Sequence, residues 1–439
     1  MDAVVKINAV ERALVDQFGA AAPALPGGPE VAGLRARAFE AFERQGLPHR
    51  RIEEWKYTDL RTLIREAYAP AAAPDKPALQ RAAKALKAHG LNSTRKLVLV
   101  DGVFQPDMSD LTRLEGGLSI EPLGTALAKN PNLLLTEAAD DADSTLALNT
   151  ALTRDGFVVT LEDGASLSRP LHIVHVMSSA APASTYTRSH LRVGAKASLT
   201  LVESFVSATD AAYQINDSLF CSAGDGARLD HVRLMEDRGD AFNLSTFKVE
   251  LGKEATLNTF NLTSGAAVSR YNLALKFTGE SARAETFGVN LLRGNQHGDS
   301  TLVVDHAVPG CMSRETFRSV LDDRARSVFQ GRIIVRPDAQ KTDGKMMTRA
   351  LLLSEDAEAD HKPELEIFAD DVTCGHGATA GALDEDLLFY LRARGLPEHE
   401  AQALLIQAFV GEAIESIVDE KLREAAFSAA DRWLKERVR

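Results

Sequence analysis

The sequence predicts a mainly β chain built around a β-solenoid, or β-helix, with helical segments before and after it. Three observations carry this reading. From about residue 156 to 382, short alternating runs such as FVVTLEDG, LHIVHV, SLTLVES and TLNTFNLT follow one another, separated by Gly, Asp and Asn. Their turns share a signature, an alanine with leucine or a small residue two positions later, at Ala165, Ala197, Ala227, Ala255, Ala282, Ala325, Ala357 and Ala378. Helical periodicity fills the segments before residue 90 and after residue 383.

The alanine steps are 32, 30, 28, 27, 43, 32 and 21 residues. A step near thirty residues with two short strands per unit describes coils that stack to bury one continuous core. The step of 43 marks an insertion or an unrecognised coil. A β-sandwich is the competing architecture, but its strands need not keep a step.

Residues 1–90 read as an N-terminal helical domain. Leu14, Val15 and Phe18 share one helical face, and Leu34, Ala38, Phe39 and Phe42 share another that ends at Gly46 and Pro48. APAAAPDKP (69–77) reads as a linker, followed by one more short helix over 78–89. Residues 91–155 form a mixed connecting region in which KLVLVDGVF (96–104) is a strand and turn. The β body spans 156–382. In the C-terminal helical domain, 383–439, Asp384 is an N-cap, Gly395 closes the first helix and Pro397 opens a longer one. That second helix carries Leu404, Leu405, Ala408, Phe409, Ile414, Ile417 and Val418 on one broad face.

Composition narrows the function. The 439 residues are 45% hydrophobic and 26% charged, which is ordinary for a globular chain. Aromatics are only 6%, so stacking platforms for single-stranded nucleic acid are scarce. A net charge of −12 opposes a phosphate backbone or an anionic membrane as the main partner. No apolar run approaches the length of a membrane span. Three dispersed cysteines cannot form a closed disulfide framework, which fits a reducing compartment. The N-terminus carries Asp2, Glu11 and Asp16, unlike a secretory signal or a transit peptide. The expected location is cytoplasmic.

Enzyme motifs fail one by one. Gly344-Lys345 ends like a phosphate loop, but Ala339 replaces its first glycine and Met346 its Ser/Thr. GHGATAG (375–381) has Ala380 where a dinucleotide fingerprint needs its third glycine. No G-x-S-x-G elbow and no C-x₂-C pair occurs. His172, His175 and His361 read as structural or surface histidines, and Cys221 and Cys311 as small buried side chains. Cys374-Gly375-His376-Gly377 stands apart. On an extended strand, positions i and i+2 put thiol and imidazole on one face, and both are competent iron ligands. The flanking glycines would leave that face open to close approach. From spacing alone, packing at a sheet end is the ordinary explanation.

EEWKYTDL (53–60), the repetitive β body and DDVTCGHGATAGALDEDLLFYLRARG (370–395) together resemble the SufD family, SufB-like subunits of the SUF machinery for iron–sulfur cluster assembly. The resemblance covers nearly the whole chain. The absence of cysteine before Cys221 and the Trp-Lys-Tyr-Thr element at 55–58 favour SufD over the longer SufB chains, many of which carry an N-terminal cysteine cluster. It implies a right-handed parallel β-helix between helical domains, acting as a non-catalytic scaffold. It implies a SufB-like partner through the β-helix and a SufC-like ATPase, the source of ATP hydrolysis, through the C-terminal helices. Cys374 and His376 match the family's Cys-x-His element. The histidine is expected to help hold a transient iron–sulfur cluster at the SufB interface, where SufB's own Cys and Glu complete the site. Cys374 reads either as a second ligand or as a structural thiol. No cofactor is expected to stay bound to the isolated chain, whose homodimerisation the sequence leaves open. The alternative class is a β-solenoid binding protein or polysaccharide-active enzyme, which needs carboxylates clustered on one face of the coil. The acidic pairs Asp322-Asp323 and Asp370-Asp371 sit instead at apparent turns.

Overall fold

A computed structural model describes residues 8–135 and 143–437; Asp2, used above to read the N-terminus, lies outside them. The β body is a solenoid of about 8 turns. Its coils alternate between two sheets. In spatial order the first sheet holds Val103–Phe104, Arg95–Val100, Leu171–Met177, Ser198–Ser207, Arg228–Met235, Thr256–Thr263, Arg283–Leu292, Met312–Leu321, Asp343–Leu352 and Thr373–Gly381. The second holds Leu118–Pro122, Phe157–Leu161, Ala183–Val193, Tyr213–Ala223, Phe242–Leu251, Val268–Phe277, His297–His306, Arg326–Val335 and Glu358–Ile367.

Within each sheet, successive coils pair in parallel and in register. One row of the first sheet runs Leu199, Leu229, Leu257, Ala284, Ser313, Gly344, Cys374. Side chains alternate between lumen and exterior, so every second residue of each strand joins the interior. Leu199, Leu229, Leu257 and Ala284 line the main core with Phe247, Phe277 and Phe329 from the opposite sheet. The leucine of the turn signature is therefore the first lumenal residue of its coil.

The alanine before it is buried at Ala197, Ala227, Ala255 and Ala282. A glycine three residues earlier lets the previous coil come close. A Cβ on Gly279 would lie 1.9 Å from the backbone nitrogen of Lys253. In the next coil Cys311 takes the alanine place, because Arg283 pairs with Met312. The signature then moves to turns entering the second sheet, where Ala325 and Ala357 are in register with Ala241 and Ala267. The step of 43 thus spans one whole coil plus one crossover. Ala378 belongs to no turn; it sits inside the strand Thr373–Gly381.

The two ends of the solenoid differ. At one end Val103–Phe104 and Leu118–Pro122 reverse the strand direction and pair antiparallel. Arg95–Val100 pairs in parallel with Leu171–Met177, so the first sheet extends upstream of the boundary expected at residue 156. At the other end, Thr373–Gly381 and Glu358–Ile367 each have a neighbouring strand on one side only among the described residues.

The N-terminal helices Ala9–Ala21 and Pro29–Gln45 pack through Leu14, Phe39 and Phe42 against Leu148 and Tyr186. The 69–77 segment is held down, unlike a free linker: Ala71 N–H donates to Ser184 O, and Ser184 N–H to Ala69 O. Three C-terminal helices follow, Glu385–Ala393, Glu398–Ile414 and Glu420–Arg437. Asp384 caps the first through Leu387 N–H at 2.9 Å. The last two cover the outer face of the first sheet, where Ile406, Val410, Ile414 and Trp433 meet Val232, Phe260, Val289 and Val320.

The EEWKYTDL segment is clamped to the second sheet's outer face. The Arg270 guanidinium lies 3.7 Å over the Trp55 ring and donates to Glu54 O at 2.8 Å and to Asp299 at 2.5 Å. Thr58 Oγ1 donates to the same Asp299 carboxylate. Arg270 and Asp299 are both buried. Removing one member of such a pair strands a buried charge. Arg270→Ala should therefore lower the unfolding free energy by about 3–5 kcal/mol in denaturant titrations. A loss below about 1 kcal/mol, the scale of a surface pair, would contradict the clamp.

Candidate functional site at the terminal coil

Cys374 and His376 lie on Thr373–Gly381, the edge strand of the first sheet. Cys374 pairs with Gly344 and His376 with Met346, both lumenal positions. The structure therefore puts thiol and imidazole on the inner face of the last coil, as the i, i+2 spacing predicts. Cys374 is half-buried against the main core, whereas His376 is exposed. The glycines do not act as expected. Gly375 and Gly377 alternate to the opposite face, and a Cβ on Gly375 would meet nothing within 4 Å. The openness on the Cys374–His376 face comes from the missing next coil.

Burial raises the Cys374 thiol above its usual range, Asp343 and Glu315 add to that, and the Gly344 backbone opposes it. Cys374 is thus held as a thiol in the free chain, and only a thiolate ligates metal well.

Tracing His376 back along its row gives Met346, Glu315, Thr286 and Thr259. Glu315 lies two strands behind His376, roughly 10 Å by strand spacing. It is buried, with little to hold its carboxyl beyond the nearby Ser313 hydroxyl. Burial pushes its carboxyl up to about 8. On the facing sheet, His361 follows Phe329 in a lumenal row of the same last coil. Its Nε2 is buried without a partner among the described residues, and burial lowers its pKa, so the ring is neutral. In the sequence His361 reads as a structural or surface histidine, and Glu315 carries no motif. The signal was the coil step, since residues 286, 315, 346 and 376 are each about one coil apart.

The remaining sequence candidates fall into place. Gly344-Lys345 and GHGATAG are strand segments, not turns into helices, so neither cradles a phosphate. Cys221 and Cys311 are buried, and burial raises both thiols. His172 and His175 face opposite sides, and both are buried. His172 lies between Thr94 Oγ1 at 3.0 Å and Ser204 Oγ at 2.8 Å.

Two family models match the chain: the SufBD core domain of SUF-system FeS cluster assembly over residues 175–409, and the SufBD protein N-terminal region over residues 27–173. The chain belongs to the SufBD family. Within it the chain is SufD-like: it is 33% identical to the iron–sulfur cluster assembly protein SufD of Escherichia coli over 87% of this chain and 88% of that one. A SufBD family iron–sulfur cluster assembly protein of Synechocystis is 31% identical over 84% of each chain. One of Mycobacterium leprae is 34% identical over 47% of this chain and 55% of its own. For a SufBD chain, an open terminal coil carrying an imidazole, a thiol and a buried acid is the natural place to seek cluster chemistry.

The Glu315 carboxyl has a consequence for stability. Its folded pKa of about 8 exceeds the ordinary 4.5, so between those values the folded chain keeps a proton that the unfolded chain has lost. Stability should fall as pH rises through that window, by up to about 1.4 kcal/mol per unit for one proton. Glu315→Gln should flatten this part of the pH–stability curve. An unchanged slope in the variant would show that the proton resides elsewhere.

Proposed function

We propose that this chain is a non-catalytic, SufD-like scaffold subunit that works in the cytoplasm with a SufB-like subunit and a SufC-like ATPase. The SufB-like subunit docks on the open terminal coil. A nascent iron–sulfur cluster, the cargo of the reaction, is held transiently there by His376 and ligands of the partner, and the ATPase supplies ATP hydrolysis. The observation that carries this reading is the exposed, lumen-facing imidazole on an edge strand whose far side has no neighbouring strand among the described residues. A solenoid end normally needs a polar cap, and an uncapped edge is a template for another chain. Neutral imidazole suits iron, and an edge position lets a second subunit complete the ligand set. Cys374, held as a thiol, takes the secondary role.

The glycan-active alternative finds no support in the acidic pairs. Asp322 is held by Arg437, Asp323 accepts from Gly294 N–H, and Lys341 pairs with Asp371. These carboxylates stabilise turns.

His376→Ala in the co-expressed complex should lower bound iron and sulfide severalfold while leaving melting temperature and complex formation unchanged. Cys374→Ala should have the smaller effect. Normal cluster content in His376→Ala would remove the site assignment.

The ATPase surface also sharpens. Ile414 is buried against the solenoid, and Phe409 is half-buried with the Arg318 guanidinium 4.9 Å over its ring, so the fully exposed side chains offer the larger docking surface. In the C-terminal helical domain the large apolar side chains exposed among the described residues are Leu387, Phe389, Tyr390, Leu404 and Val418, at 51%, 74%, 55%, 45% and 57%. Phe389→Asp with Leu404→Asp should weaken ATPase binding by about 2 kcal/mol or more, the scale of interface anchors, without lowering the melting temperature. Undiminished co-purification of the ATPase would place its docking surface elsewhere.

A further inference from the structure

Far from the terminal coil, the lumen holds a second constellation that cluster assembly leaves unused. His175 and Glu203 come from neighbouring strands of the first sheet, and Asp217 faces them from the second. All three are buried, and one ligand-type atom of each lies within 4.8 Å of the others. His175 Nε2 has no hydrogen-bond partner among the described residues and is 3.9 Å from Asp217 Oδ1. Its ring stacks on Phe205, with centroids 4.6 Å apart and planes 8° from parallel, which fixes where the nitrogen points.

The carboxylates are oriented from behind. Glu203 Oε2 accepts from His231 Nε2 at 2.9 Å, and His231 Nδ1 meets Thr259 Oγ1 at 2.9 Å. Thr187 Oγ1 donates to Asp217 Oδ1 at 2.5 Å. Such outer hydrogen bonds are what orient ligands at metal centres. Buried Arg233, on the strand next to Glu203, directs its N–H bonds to Asn261, Asn243 and Ser245, between the rings of Phe205 and Tyr271. Two buried carboxylates beside an unpartnered imidazole nitrogen are costly unless a proton or a cation sits between them.

We propose that His175, Glu203 and Asp217 bind one divalent first-row transition cation of the Mn²⁺, Fe²⁺ or Zn²⁺ type. One imidazole and two carboxylates form a nitrogen–oxygen set with no sulfur, which suits these ions and not Cu(I) or an iron–sulfur cluster. The ion joins the two sheets near the capped end of the solenoid, so its expected role is structural.

The test uses the full chain carrying Cys374→Ala and His376→Ala, so that its outcome is independent of the terminal-coil assignment. After chelation and desalting, the protein is equilibrated with Mn²⁺, and retained metal is measured by elemental analysis and electron paramagnetic resonance. One equivalent should be retained, and the melting temperature should rise with Mn²⁺. His175→Gln and Asp217→Asn should each weaken Mn²⁺ binding at least tenfold and abolish that rise, with circular dichroism unchanged in chelator. No retained metal, or equal retention by both variants, would overturn the site. Should either variant fail to fold, the parent decides: a melting temperature indifferent to Mn²⁺ and Zn²⁺ overturns the proposal.

Discussion

In-register stacking of coils is the constraint on which everything else in this molecule depends. Each strand hydrogen-bonds to the strand one coil away, so a side chain's environment is set by residues about thirty positions before and after it. An inner row is a column through the molecule, and a slip of one residue would turn every lumenal side chain outward. The glycine and alanine turns keep successive coils close enough for those columns to form. A stack of this kind must also stop. At one end antiparallel strands and helices stop it; at the other the backbone of Thr373–Gly381 and Glu358–Ile367 is left without a next coil.

Buried polar groups on the outer faces of the sheets and in the helices are placed where the geometry can satisfy them. Arginines do much of this. Arg35 donates to the carbonyls of Ala151 and Thr153 at 3.0 and 2.7 Å, tying a helix to its neighbour. Arg188 reaches Asn149 and Leu134 O, and Arg270 holds the Trp55 segment. Guanidinium suits the task because it carries several fixed donors and stacks on aromatic rings. The helical segments are therefore fastened to the solenoid by charged side chains at defined points, with apolar contacts filling between them. Glu315, with little beside its carboxyl but the Ser313 hydroxyl, and His175, whose Nε2 has no partner among the described residues, are two of the buried polar groups left incompletely satisfied. They are where chemistry beyond scaffolding has room.

Much of the architecture was legible in the sequence because solenoids repeat. The Ala-x-Leu turns exposed the coil length, and the capping residues Asp384 and Gly395 located a helix. The i, i+2 spacing of Cys374 and His376 placed them correctly on one face. What the sequence concealed was phase. Nothing local shows that Cys311 substitutes for alanine, or that the signature changes sheets before Ala325. Without the phase, Glu315 cannot be aligned behind His376, nor His361 placed on the same last coil. The segment 69–77 was misread for a related reason: its prolines look like a linker, and its pairing partner Ser184 is more than a hundred residues away.

The central claim is that the last coil is unfinished until a partner chain completes it. Amide hydrogen exchange of the free chain and of the assembled complex tests this most directly. Amides of Thr373–Gly381 and Glu358–Ile367 should exchange rapidly in the free chain and become protected in the complex, while strands such as Thr256–Thr263 stay protected in both. Equal exchange of the terminal strands in the two states would contradict it.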